Sequence, residues 1–342
     1  MSLIISHASA LELFERCRCE RRDVSRRLFL PASVAAGPRL DDAGGALARA
    51  RSPRAEDVER ALSLTGLALP LHVMVASAGE RFCCEGVRCH VWRGTLPDAA
   101  LTCLAPGIYA CMPTVALAQM AEGTDIVSLA LAMSMTCGTF ARGTDGTLAC
   151  NLTRACTIAE VVRYGEHLAA EKIRGARRLL DAAGMAVEGA NSPAESRAAM
   201  MLATSRRRGG FGLSGLSLNQ VVELNERGAR ILGRQTMRPD ILLPSGDACE
   251  FDSKTWHASE LAHERDALRR EALSASGYSP HTITSGLAHD LRGFSMLAAE
   301  LARRQGTRCR PPSEGMLEAR ADLHERLFPR GAVPGFGGHA QG

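Results

Sequence analysis

Only two of the 41 basic residues of this chain are lysine, Lys172 and Lys254, and the second closes the run Glu-Phe-Asp-Ser-Lys at 250–254. Side chains alternate faces along a strand, so Glu250, Asp252 and Lys254 project from one side, and Cys249 and Phe251 from the other, toward a core. Two carboxylates and an ammonium on one face suit a polyvalent guest. Asp240 precedes them across a short turn, and cross-strand partners share a face. It joins Glu250 when the connecting loop has an odd number of residues, as Ser245-Gly246-Asp247 has. An even loop turns it away. Carboxylate oxygens with positions left for water and phosphate are the usual way to hold Mg2+ or Mn2+. Such a metal polarises a phosphodiester and acidifies its bound water, while a neighbouring lysine stabilises developing charge. The chemistry expected is metal-dependent phosphodiester hydrolysis, with Lys254 as the cation.

The elements that must carry these residues are legible from periodicity and caps. Ser192-Pro193 with Glu195 opens a helix at SPAESRAAMMLATS, which also gives Glu195 a purely capping role. LSLNQVVELN, RPDILLP and ACEFDS predict strands, HASELAHERDALRREALSASG a helix ending at Gly277, HTITSG a strand and DLRGFSMLAAELARRQ a last helix. Upstream, LPLHVMVAS, GVRCHVW and GIYACMP predict strands, and PTVALAQMAE, DIVSLALAMSMTCGTF, TIAEVVRY and HLAAEKIRGARRLLDAA helices. The predicted division is an α+β region over 1–183, a linker over 184–194, an α/β domain over 195–306 and a tail over 307–342.

In that order the segment from Ser192 to Gly306 resembles the PD-(D/E)XK nuclease superfamily: SPAES, Pro239-Asp240, Glu250-Phe251-Asp252-Ser253, His257, HERDALRREAL and HTITSG. It is most similar to the branch of very-short-patch-repair endonucleases and the endonuclease-like domains that accompany abortive-infection antitoxins. The resemblance implies a mixed sheet flanked by helices and hydrolysis of DNA that leaves the 3′ oxygen. It also implies Asp240 and Glu250 as ligands of Mg2+ or Mn2+, with Asp252 at the usual lysine position as a further ligand, and Glu195 as the acid of the first helix. His257 then acts on phosphate or water, and Arg265, Arg269 and Arg270 contact the DNA backbone. The departure is the missing lysine at 252: either Lys254 supplies the cation from the same face, or the site binds metal and cuts poorly. VRCHVWRG and LPDAALTCLAPGIYACMPTVALAQMAE are similar to the part of AbiEi-type antitoxins that follows their winged helix, which implies a toxin or defence-system partner. No winged helix is evident over 1–70. The alternative expectation is therefore a catalytically weak or inactive nucleic-acid-binding regulator.

Composition limits the field further. Hydrophobic residues at 46% and charged ones at 23% exclude wholesale disorder, and a net charge of +4 permits nucleic acid without demanding it. No apolar run approaches a membrane span, and MSLIISHASALELFERC is too short and too soon charged for a signal peptide, so a cytoplasmic protein without a membrane partner is expected. The 12 cysteines then read as thiols. Cys17 with Cys19, and Cys83, Cys84 and Cys89 with His90, are clustered, but without any C-x-x-C pair zinc ranks behind thiols. Cys111 and Cys137 lie in apolar segments and are expected in the core. Singly, the acids at 240, 250 and 252 are most simply a solvated hairpin face, His257 a structural histidine and the basic helix a soluble face. RRRGGFGLSG lacks the G-K-[ST] of a phosphate loop.

Overall fold

The computed structural model describes residues 2–20, 40–81, 85–252, 260–307 and 311–329. The chain is mixed α/β and divides into two compact units, Met1–Gly184 and Met185–Val333. Among the described residues no helix is long and apolar enough to cross a membrane.

In the first unit, strand β1 (Leu3–Ile5) precedes helices α1 (His7–Glu20), α2 (Ala43–Ala48) and α3 (Ala55–Thr65). Strands β2 (Leu71–Val75), β3 (Val87–Val91), β4 (Leu101–Ala105) and β5 (Ile108–Cys111) follow, then helices α4 (Pro113–Met120) and α5 (Ile126–Thr136). The short hairpin of β6 (Ala141–Arg142) and β7 (Leu148–Ala149) leads to α6 (Ile158–Ala170) and α7 (Ala176–Ala183). Among the described residues the first five strands form one sheet in the order β3-β2-β1-β5-β4. The opening residues are thus the central strand, and all three residues of β1 are buried, as a strand flanked on both edges requires. The helical pattern of 167–183 is broken between α6 and α7, where Lys172 and Gly175 take left-handed backbone angles of 58° and 90°. A side chain at Gly175 would stand 2.9 Å from the backbone nitrogen of Glu122, so only glycine fits that turn.

Three histidines meet in this unit. His72 of β2 and His90 of β3 approach to 2.9 Å between Nδ1 and Nε2, and the His7 ring stacks on His90 with centroids 3.6 Å apart. Burial first, then the neighbouring imidazoles, hold His7 well below the usual histidine range. Burial, His72, Arg81 and Arg88 bring His90 down to about 4. The folded unit therefore binds fewer protons than the unfolded chain below pH 6.5, and stability falls as pH drops from there toward 4. At His90 alone the loss is on the order of 3 kcal/mol. Urea unfolding at pH 7.5 and 4.5 is expected to show this decline, reduced in His90→Gln.

In the second unit, α8 (Pro193–Ala203) is followed by β8 (Ser217–Leu218), β9 (Val222–Glu223), α9 (Glu226–Leu232), β10 (Thr236–Met237), β11 (Ile241–Leu242) and β12 (Asp247–Asp252). Then come α10 (Glu260–Ala275), β13 (Ser279–Thr284), α11 (Ser285–His289), α12 (Leu291–Arg304) and α13 (Glu314–Leu327). Among the described residues the larger sheet runs β13-β12-β11-β8. Its first three strands in chain order, β8, β11 and β12, form an antiparallel meander, and β13 joins β12 in parallel after α10. A parallel neighbour requires such a crossover. The expected strand over 216–225 is instead two short pieces, β8 and β9, in different sheets; β9 pairs with β10, and α9 lies between them. That excursion packs on α10 through Val222, Leu224, Ala229, Met237, Ala272 and Leu273.

Two expected boundaries are corrected. Met185, Val187 and Ala190 of the expected linker are buried, within the second unit. The expected tail contains α13, capped by Ser313, whose hydroxyl accepts from the Met316 amide. Leu323 and Leu327 recur one turn apart and are buried, with Phe328 against Phe294, and Arg320 lies 4.3 Å over the Phe211 ring. This spacing was hidden among charged residues and behind the prolines at 311 and 312.

Candidate active site

The β11–β12 hairpin sets the geometry. Ile241 pairs with Cys249 and Leu242 with Ala248, and the Leu243 amide donates to the Asp247 carbonyl at 2.9 Å. The loop is therefore Pro244-Ser245-Gly246, one residue earlier than expected, with Gly246 at a left-handed φ of 81°. Its length remains odd. Continuing the register by one residue sets Asp240 opposite Glu250. Asp247 becomes a strand residue with a fully buried side chain, bonded to Ser245, His281 and Arg304.

Asp240 stands just before β11, and its Oδ2 accepts from the Phe251 amide at 2.7 Å. Glu195 reaches the same place from the first turn of α8. The Ser192 hydroxyl accepts from the Glu195 amide at 3.2 Å, so Ser192 is the N-cap of α8, while the Glu195 side chain reaches past it. The Glu195 carboxylate, however, is 7% exposed and its Oε2 accepts from the Asn191 amide at 2.7 Å and from Asn219 Nδ2 at 2.8 Å. Asn219 also donates its backbone N–H to the Asp240 carbonyl at 3.1 Å, which ties the helix acid to the strand acid. Its backbone is left-handed, with φ 52°, a conformation asparagine tolerates better than most residues.

Glu250 on β12 completes the group. Arg269 of α10 donates to Glu250 Oε2 through Nε at 3.0 Å and Nη2 at 2.6 Å, and Nη2 also donates to the Arg238 carbonyl at 3.1 Å. Glu250 Oε1 is buried and accepts no hydrogen bond among the described residues. Asp252 ends β12 on the same side of the strand as Glu250 and is half-buried. Lys254 and His257 lie outside the described residues. Arg265 and Arg270 are exposed on α10, whereas Arg269, expected on phosphate, has its guanidinium against Glu250; the nearest strong negative charge took it.

Electrostatically the site has more acid than base. Burial first, then the charges of Glu195 and Glu250, push Asp240 up to about 8, against the opposing pull of the Phe251 N–H and Arg269. Burial also raises Glu250, partly offset by Arg269. With its folded pKa above the usual 3.8, Asp240 keeps a proton that the unfolded chain releases, so its contribution is full below pH 3.8 and is lost as pH rises through about 8. Asp240→Asn is expected to gain stability relative to wild type between pH 5.5 and 8.5, measured as the difference in urea midpoints.

For a divalent metal, the donor chemistry fits: hard oxygens, excess negative charge and an unpartnered buried oxygen on Glu250. Spacing is less ready, because among the described residues no three His, Cys, Asp or Glu side chains are grouped to hold an ion. Residues that sequence reasoning missed are Asn219, which links two of the acids, and Arg269 as the site's internal cation. Asn219 falls inside the strand expected over 216–225, and nothing in that pattern pointed to it. Arg227, Arg230 and Arg234 are also exposed around α9, which buries Gly228 and Ala229. No protein-family model, curated protein or solved structure matches the chain.

Proposed function

We propose that the second unit is a PD-(D/E)XK-type core that hydrolyses DNA phosphodiester bonds with Mg2+ or Mn2+. The observation that carries this is that Asp240 and Glu250 fall opposite each other on adjacent strands, with the buried Glu195 tied to Asp240 through Asn219 and Arg269 bonded to Glu250. Burial first, and then the charges of Glu195 and Glu250, raise Asp240 to about 8, and carboxyls perturbed in this way beside other acids support a site that takes a cation. The order of helix, antiparallel meander, crossover helix and parallel strand also supports this core.

Asp240 and Glu250 would hold the metal, with Asp252 beside them. When bound, the metal would polarise the phosphodiester and supply an acidified water. Glu195, through Asn219, positions the strand that carries Asp240. Lys254 and His257 are assigned to charge stabilisation and to the attacking water. The exposed Arg265 and Arg270, with Arg227, Arg230 and Arg234, offer phosphate contacts. A cytoplasmic setting and a toxin or defence-system partner for the first unit belong to the same proposal.

A second reading, a DNA-binding regulator with a silent site, is favoured by the Arg269–Glu250 bond, which already neutralises the central acid. Nicking of supercoiled DNA separates the two. Metal-dependent nicking abolished by EDTA supports the nuclease. DNA binding without cleavage in Mg2+ or Mn2+ supports the regulator.

A further inference from the structure

Two buried thiols of the first unit face each other. Cys137 caps the C-terminus of α5, Cys156 stands just before Thr157, the N-cap of α6, and their sulfurs are 3.6 Å apart. Cys137 is fully buried, and Cys156, at 6% exposure, follows the exposed residues Thr153 and Arg154. The segment between them, with the β6–β7 hairpin, returns on itself, and the Leu152 amide donates to the Thr139 carbonyl at 2.7 Å. Arg18 of α1 binds both arms: Nη2 donates to the Gly138 carbonyl at 2.8 Å and Nε to the Thr153 carbonyl at 2.9 Å. It thus holds the two cysteine-bearing segments together, with its guanidinium charge near enough to both sulfurs to interact with them.

We propose that Cys137 and Cys156 are a redox-active pair that closes to a disulfide when the protein meets hydrogen peroxide. Cys156, the more accessible, attacks one peroxide oxygen as the thiolate; the O–O bond breaks, hydroxide leaves and is protonated to water, and a sulfenic acid remains. The Cys137 sulfur attacks that sulfur, the S–O bond breaks and a second water departs. Two thiols and one peroxide yield one disulfide and two waters. The sulfurs must close from 3.6 Å to about 2.05 Å, a movement within reach of the Cys156 loop. The bond would fasten the end of α5 to the start of α6 and enclose the hairpin between them.

The test is peptide mapping of the full chain under non-reducing conditions after peroxide treatment and alkylation. The expected result is a 137–156 cross-linked peptide as the main disulfide product, with an unfolding temperature raised by several degrees and restored by dithiothreitol. Cys156→Ser should lose the cross-link and the shift together. If peroxide oxidises other cysteines while Cys137 and Cys156 remain alkylated singly or protected without a link, the proposal is overturned. Pairing of either with a different cysteine would also overturn it.

Discussion

Replacing Arg269 with methionine is expected to destabilise the second unit by about 3 kcal/mol at pH 7, because it strips the cation from a largely buried carboxylate. Glu250 is only 18% exposed, and its Oε1 is already without a partner. Losing both Arg269 bonds leaves a charge that neither water nor protein compensates well. Nor can the aliphatic stem of methionine reach the Arg238 carbonyl as a donor. The double variant Arg269→Met with Glu250→Gln should recover most of the loss, since removing both charges of a buried pair is far less costly than removing one. Urea denaturation of the wild type, the two single variants and the double gives the coupling directly. If Arg269→Met alone is neutral, Glu250 is compensated elsewhere and the electrostatic account of the site is wrong.

Replacing Glu250 with glutamine is expected to lower metal-dependent nicking by about 100-fold or more, because a neutral amide is a poor ligand for a hard divalent ion. Its effect on folding should be smaller, since the amide oxygen still accepts from Arg269, and that guanidinium, at 25% exposure, keeps contact with water and the Arg238 carbonyl. The two variants therefore separate function from stability. Arg269→Met lowers stability while removing a competitor for Glu250, and should strengthen divalent binding. Glu250→Gln removes the binding and spares the fold. A shared loss of both properties in both variants would mean that Glu250 matters only as half of an ion pair.

How far the sequence reaches can be judged from these residues. Alternation along 247–252 and the shortness of the turn carried the essential point, that Asp240 and Glu250 share a face, even though the loop lies one residue earlier than expected. Parity decides the face, and a shift of the loop that preserves its odd length preserves parity. The cap at Ser192 was equally legible, since a serine followed three residues later by glutamate is a local signal. Arg269 was not. An arginine on the exposed side of an amphipathic helix has the same sequence signature whether it meets phosphate or a carboxylate nineteen residues earlier. Asn219 was hidden because its role depends on Gly189, Glu195 and Asp240 arriving together. The opening strand was missed for a similar reason: three apolar residues carry no period, and only the sheet makes β1 central.

The most direct measurement is the binding of Mn2+ to the full chain by calorimetry at pH 8, where Asp240 has begun to release its proton, with wild type beside Glu250→Gln. The account predicts saturable binding by the wild type, lost in Glu250→Gln. Equal binding by both, or none by the wild type at millimolar Mn2+, would contradict it.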